Sequence, residues 1–339
     1  MIEPLPFRRR LLLAGVILFT AALLTRCVAA PKRASAPTEA APAVAAPPKG
    51  ADSIVAAGQP FAIGSPVVHW NDPSGYSAYK TEKFFTKEPQ PDGKLRYAPL
   101  RGGLPEAIAA RAAAAGGLSL DDLRATVHQF VIHFDVAGTS RQCFKILQDN
   151  RTLSVHFLLD VDGTIYQTLD LREKAWHATI ANDFSVGVEI AHPGAYPQPM
   201  NAAMSRFYER DDQGWKAKFP AWLEYGVRTS DFIARPDRPD MLSGRVQGQL
   251  LHQLDFTPQQ YRALARLCAG LNKALPRIRL DAPREADGAI RTTALPEAEL
   301  RAFDGLVGHF HVQKNKTDPG PAFQWERVIQ EARAIRAKL

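Results

Sequence analysis

At 339 residues the chain can hold one large domain or two ordinary ones, and 45% hydrophobic against 23% charged residues excludes wholesale disorder. A formal charge of +7 points to an anionic surface or polymer as partner. Nucleic acid is not expected, because the basic residues are scattered and form no zinc-finger spacing, aromatic RNA-binding signature or long basic helix.

Arg8, Arg9 and Arg10 precede the apolar run LLLAGVILFTAALLT, Leu11 to Thr25. A charged start and an apolar stretch of this length make a signal segment, short for a membrane span. It ends in Leu24-Thr25-Arg26-Cys27, similar to a bacterial lipoprotein box except that Arg26 stands where the box has a small residue. Lipidation of Cys27, simple cleavage and an uncleaved anchor all stay open. Each directs the rest of the chain out of the cytoplasm, into the periplasm or onto the outer membrane of a bacterial envelope, with membrane contact only through this anchor. Residues 1–28 are therefore expected to be signal or anchor. Residues 29–62, rich in Ala and Pro, are expected to be a semi-extended linker, and residues 63–339 the folded domain. Beyond Cys27 only Cys143 and Cys268 remain. They could pair in an oxidising compartment or serve as two small buried hydrophobes, and the sequence leaves both readings open.

Within the domain, TVHQFVIHFDV (Thr126 to Val136) is β-branched and aromatic and reads as a buried strand. Alternation puts His133 on one face with Gln129 and Val131, and Phe130, Ile132 and Phe134 on the other. GTSRQCFKILQDN follows as a helix with a Ser/Thr start and an apolar stripe at Cys143, Phe144 and Leu147. SVHFLLDVDGTIYQTL predicts a hairpin turning at Asp162-Gly163. FSVGVEIAH (Phe184 to His192) is another strand, and residues 193–254, rich in Pro, Gly and charge, read as a long surface insertion. TPQQYRALARLCAGLNKAL is the strongest helix: Thr257 caps it, Pro258 takes the first position, Gln260 completes a capping box, and Leu264, Leu267, Cys268 and Leu271 form its apolar face. The expected fold class is α/β (α+β), a single mixed sheet flanked by helices.

The chemistry-bearing residues lie at the two ends of this domain. A lone His133 on a strand is more often a hydrogen-bonded core residue than a ligand. His309 and Asp318, in VGHFHVQKNKTDPGPAFQW, add an imidazole and a carboxylate from a second region. Two His and one Asp, with a position left for water, are the ligand set of a hydrolytic zinc site, and Zn2+ so held keeps a net positive charge. His309 and His311 would face the same way if a strand ran through both, and periodicity does not choose between them.

In five segments the chain resembles the zinc-dependent N-acetylmuramoyl-L-alanine amidases of the type-2, phage-lysozyme-like family, relatives of the peptidoglycan recognition proteins. The segments are VIHFD, SVHFLLDVDGTIYQ, AWHATIANDFSVGVEIA, FTPQQYRALARL and VGHFHVQKNKTDPGPAFQW, in the family's order between Val131 and Trp325. The resemblance implies the amidase fold, one Zn2+ held by His133, His309 and Asp318, and Glu189 and Lys316 as catalytic residues. It also implies peptidoglycan or muropeptides as partner, and hydrolysis of the amide between N-acetylmuramic acid and L-alanine. It places Trp176, His177 and Asn182 in the substrate groove and makes His311 a groove residue or a support for Asp318. His156 reads as structural, and His69, His128, His192 and His252 lack partners at ligand spacing. In two places the chain departs from the family. Phe134 stands where many relatives have a second histidine, and the His309–Asp318 interval is one residue short, its turn filled by Gln313-Lys314-Asn315. A non-catalytic module of the same fold is the alternative, but such modules typically lose a ligand.

Overall fold

A computed structural model describes residues 52–89, 94–223 and 226–339. The charged and apolar leader, Cys27 and the Ala/Pro-rich stretch up to residue 51 lie outside the described residues. The linker expected over 29–62 has ended by residue 53: Ser53–Ala56 and Gln59–Ala62 form an antiparallel hairpin. Its first strand is buried because Ile54 joins the main core, and Asp170 accepts the turn amides of Ala57 and Gly58. Composition misses this, since only Ile54 and Val55 stand out from the alanines before them.

The centre is a six-stranded mixed sheet in the order Gly305–Gly308, Gln129–Phe134, Ser185–Ile190, Phe157–Leu159, Ile165–Gln167 and Val67–His69. The first four run parallel. The fourth and fifth form the hairpin expected at Asp162-Gly163, with Leu159 opposite Ile165 and Gly163 at φ 85°. One face is largely apolar: Phe130, Ile132, Phe134, Val186, Val188, Ile190 and Leu306 pack there. Covering it are helices Pro258–Ala274 and Trp325–Arg336, which share that core through Leu264, Leu267, Leu271, Val328 and Ile329. The Thr257/Gln260 capping box forms as the sequence predicts. On the opposite face His133 and Glu189 stand side by side, paired in register on adjacent strands.

Thr139 caps helix Ser140–Phe144, which continues as a wider π-helical turn over Lys145–Asn150. Cys143 and Cys268 are both free and buried, in separate apolar clusters, so each serves as a small hydrophobe. Among the described residues no helix is long and apolar enough to cross a membrane.

The stretch 193–254 is only partly superficial. Met204, Phe207, Tyr208, Leu223 and Leu254 make a small core of their own, while Val246 and Leu251 of hairpin Leu242–Val246/Gln249–Gln253 enter the main one. Buried His192 ties this stretch to the sheet: its Nε2 donates to the Leu254 carbonyl (2.8 Å) and its Nδ1 accepts from the Gly194 amide (2.9 Å). Accepting from the Gly194 amide requires the neutral ring, and burial lowers its pKa from 6.5 to about 4. The folded pKa lies below the unfolded one, so this contribution is complete above about 6.5 and is lost as pH falls through about 4. The stability advantage of wild type over His192→Asn should therefore shrink by about 2 kcal/mol between pH 7 and pH 5, read from urea midpoints at each pH.

Candidate metal centre

Three side chains from distant parts of the chain converge on the polar face of the sheet. His133 projects from the central strand. The edge strand ends at Gly308, and His309–Val312 forms one helical turn that swings His309 inward. The chain then returns so closely that a Cβ on Gly308 would meet Pro319 Cδ at 2.8 Å, which delivers Asp318 to the same point. His133 Nδ1 lies 2.9 Å from His309 Nδ1 and 3.0 Å from Asp318 Oδ2, and His309 Nδ1 lies 3.0 Å from the same oxygen. All three residues are buried, and they could hold a metal ion.

The surrounding hydrogen bonds fix which ring nitrogens carry protons. Ser185 Oγ donates to the Ala181 carbonyl (2.6 Å), so it can only accept from His177 Nε2 (3.5 Å). His177 Nδ1 then holds a lone pair and accepts from His133 Nε2 (3.1 Å), leaving the His133 Nδ1 lone pair directed at the centre. On the other side Gln313 Oε1 accepts from His309 Nε2 (2.8 Å), leaving the His309 Nδ1 lone pair directed there too. Both rings thereby turn a lone pair toward the centre with their outer nitrogens tied to protein groups, an arrangement that suits metal-binding histidines.

The two carboxylates at the site are driven apart. Burial raises Asp318, but His309 and His133, when they carry a proton facing it, hold it well below the usual carboxylate range. Glu189, with Oε1 4.0 Å from His133 Nδ1, is pushed well above that range by burial and by the charges of Asp318 and Asp135; Lys316 and Arg151 oppose the rise. Burial, and next to it His309, lower His133 to about 4, so it is neutral at physiological pH.

Residues 123–220 match the profile of a family described as N-acetylmuramoyl-L-alanine amidase. The match covers less than a third of the chain, and over that stretch the chain is similar to this family. Among solved structures it is similar to a selenomethionine derivative of AmpD (19% identity, TM-score 0.30, covering 62% of this chain and 86% of that one). It is also similar to the amidase AmiD from E. coli, in complex with anhydro-N-acetylmuramic acid-L-Ala-D-gamma-Glu-L-Lys (19%, TM-score 0.34, 60% and 57%). A third is AmpDh3 from Pseudomonas aeruginosa (17%, TM-score 0.33, 60% and 59%). At such scores none of these likenesses bears on function. No curated protein matches the chain.

His177 reaches the centre as the partner of His133, with both its nitrogens engaged. Asn182 is buried, and its Oδ1 accepts the amides of His177 and Ala178, holding that loop. A helical turn, not a continued strand, carries His309 and His311, and His311 is tied elsewhere: its Nδ1 accepts from the Gly308 amide and its Nε2 donates to the Arg291 carbonyl. Trp176 is half-buried, with the Lys174 ammonium 4.6 Å from its ring centroid. Lys316 is half-buried, and its charge reaches both His133 and Glu189. His156 is structural, as expected, bonded to the Gly187 amide and the Glu173 carbonyl.

Sequence reasoning passed over Arg101, whose buried guanidinium donates to the carbonyls of Leu171, Glu173, Asn182 and Ser185 behind the His177 loop. It had no local signal beyond being an arginine beside two glycines. Gly187 was equally silent within its strand, yet a Cβ there would sit 2.6 Å from His177 Nδ1 and Cε1. Gly187→Ala should therefore cost about 1–3 kcal/mol by overpacking. Because the cost arises against one ring, Gly187→Ala combined with His177→Ala should lose clearly less than the sum of the single variants in denaturant midpoints.

Proposed function

We propose that this domain hydrolyses the amide between N-acetylmuramic acid and L-alanine in peptidoglycan, at a zinc ion held by His133, His309 and Asp318, in cell-wall remodelling or turnover. One observation carries the reading: three lone-pair atoms face one another at 2.9–3.0 Å in a buried site, an arrangement that a central cation relieves. Tetrahedral ligands about 2.0–2.1 Å from zinc stand about 3.3 Å apart, close to the spacing of this triad. The donor set therefore fits zinc, and two imidazoles with one carboxylate leave a position open for water or substrate. A zinc ion bound there would supply Lewis acidity towards the scissile carbonyl and acidify nearby water.

The chain's own groups supply the remaining chemistry. Glu189, held beside His133 by strand register, takes the proton from the attacking water and delivers it to the leaving amide nitrogen. Its raised proton affinity suits a group that must hold that proton between the two steps. Lys316 places a positive charge over the same space and stabilises the developing oxyanion. His177 and Gln313 keep the two ligand rings in the required tautomer. Trp176 would form part of the groove wall for muropeptide. The basic and apolar leader from Arg8 to Thr25 supports action outside the cytoplasm, in the cell envelope, with Cys27 as the candidate point of attachment.

Incubation of the protein with purified peptidoglycan should release peptides with new L-alanine amino termini, and a chelator should abolish this release until zinc is restored. Glu189→Gln should keep its metal while losing about 10²–10⁴ in kcat, and His133→Ala should lose metal and activity together. Binding of peptidoglycan without any new amino terminus would instead identify a recognition module.

A further inference from the structure

Gln313 lies in the turn where this chain departs from the family's spacing, and it is the residue that accepts the proton on His309 Nε2, at 2.8 Å. The turn itself is held by a residue far away in sequence. Gln247 Nε2 donates to the carbonyls of Phe310 (2.7 Å) and Gln313 (3.1 Å), and its Oε1 accepts the Ala294 amide (3.1 Å). Gln247 is the first residue of the tight Gln247-Gly248 turn in hairpin Leu242–Val246/Gln249–Gln253, with Val246 opposite Gln249. Its φ is +53° and that of Gly248 is +75°. Turns of this kind favour Asn-Gly or Gly-Gly, because other side chains in the left-handed region cost roughly 1–2 kcal/mol. Here a longer side chain spans the gap to both carbonyls, which a glycine could not do and an asparagine is one methylene too short to repeat.

We propose that Gln313 is a positioning residue for the ligand His309, and that Gln247 acts through it, so that the 193–254 insertion helps to set the metal affinity of the site. The proposal rests on the zinc reading above. An amide oxygen only accepts, so Gln313 selects the His309 tautomer with a free Nδ1 lone pair. Gln247 fixes the backbone from which Gln313 reaches the ring. The hairpin therefore supports the metal loop without contributing a ligand.

The test is the Zn2+ dissociation constant of the metal-stripped full chain, measured by competition with a chelating indicator, together with the visible absorption of the Co2+ form. Gln313→Leu should weaken Zn2+ binding about 10–100-fold and shift the Co2+ bands, whereas Gln313→Glu, whose carboxylate still accepts from Nε2, should bind at least as tightly as wild type. Gln247→Ala should weaken binding several-fold in the wild-type background and change nothing further in Gln313→Leu. Zn2+ affinity of Gln313→Leu within twofold of wild type would overturn the proposal. So would equal weakening in the Leu and Glu variants, which would mark a purely structural role. Additive losses in the double variant would remove Gln247 from the scheme. If wild type and His133→Ala took up Zn2+ equally poorly, the zinc reading itself would fail, a result distinct from all of these.

Discussion

Three lone pairs directed at one another across 2.9–3.0 Å repel, and one proton cannot relieve all three contacts among His133, His309 and Asp318. The rest of the structure serves to hold that arrangement. The sheet places His133 between strands locked by register on both sides, Gly305–Gly308 and Ser185–Ile190. The apolar face beneath is packed by two long helices, so the strand cannot retreat from the contact. Each ligand ring is further turned by a hydrogen bond on its far side. A rigid cluster of this kind keeps its geometry before a cation arrives and loses little order on binding it.

The insertion takes part in this rigidity. Asp255, at its end, is buried and accepts from Arg238, Tyr261, Gln324 and the Phe256 amide, joining the inserted stretch to both covering helices. A carboxylate so surrounded is stable in a core only while all four donors stay in place. Thr229 reaches back to Asp162 in the hairpin turn, and Gln247 reaches forward to the metal loop. Residues 193–254 are thus stapled to the sheet hairpin, the helices and the loop that carries His309 and Asp318.

Much of the fold was legible where local chemistry and tertiary environment agree. The Asp162-Gly163 hairpin, the capped helix from Pro258 and the two central strands each carry period, cap or turn signals that packing reinforces. The convergence of His133, His309 and Asp318 was legible only through the family resemblance, since they lie 176 and 9 residues apart and no periodicity links them. The hydrogen bonds of His177, Asn182 and His311 were not legible, because their partners are backbone groups or other histidines supplied by the fold. The edge strand stops at Gly308 because the next four residues curl into a helical turn, and this separates His309 from His311 where alternation would have united them.

In the proposed function, two acidic side chains in one small site would serve metal binding and proton transfer separately. Asp318 and Glu189 lie in the same buried surroundings, yet protons on His309 and His133 hold Asp318 low, while burial first, and then the charges of Asp318 and Asp135, raise Glu189. Titratable groups whose environments push them apart mark the division of labour in an active site. In the proposed function, the ionised carboxylate would be the ligand and the proton-retaining one the base and acid. That division depends on Asp318 lying against both rings, which requires the loop between His309 and Asp318 to keep its shape. The shortened turn with Gln313 at its head is therefore an electrostatic element as well as a connector, because a loop of another shape would move the charge that separates the two carboxylates.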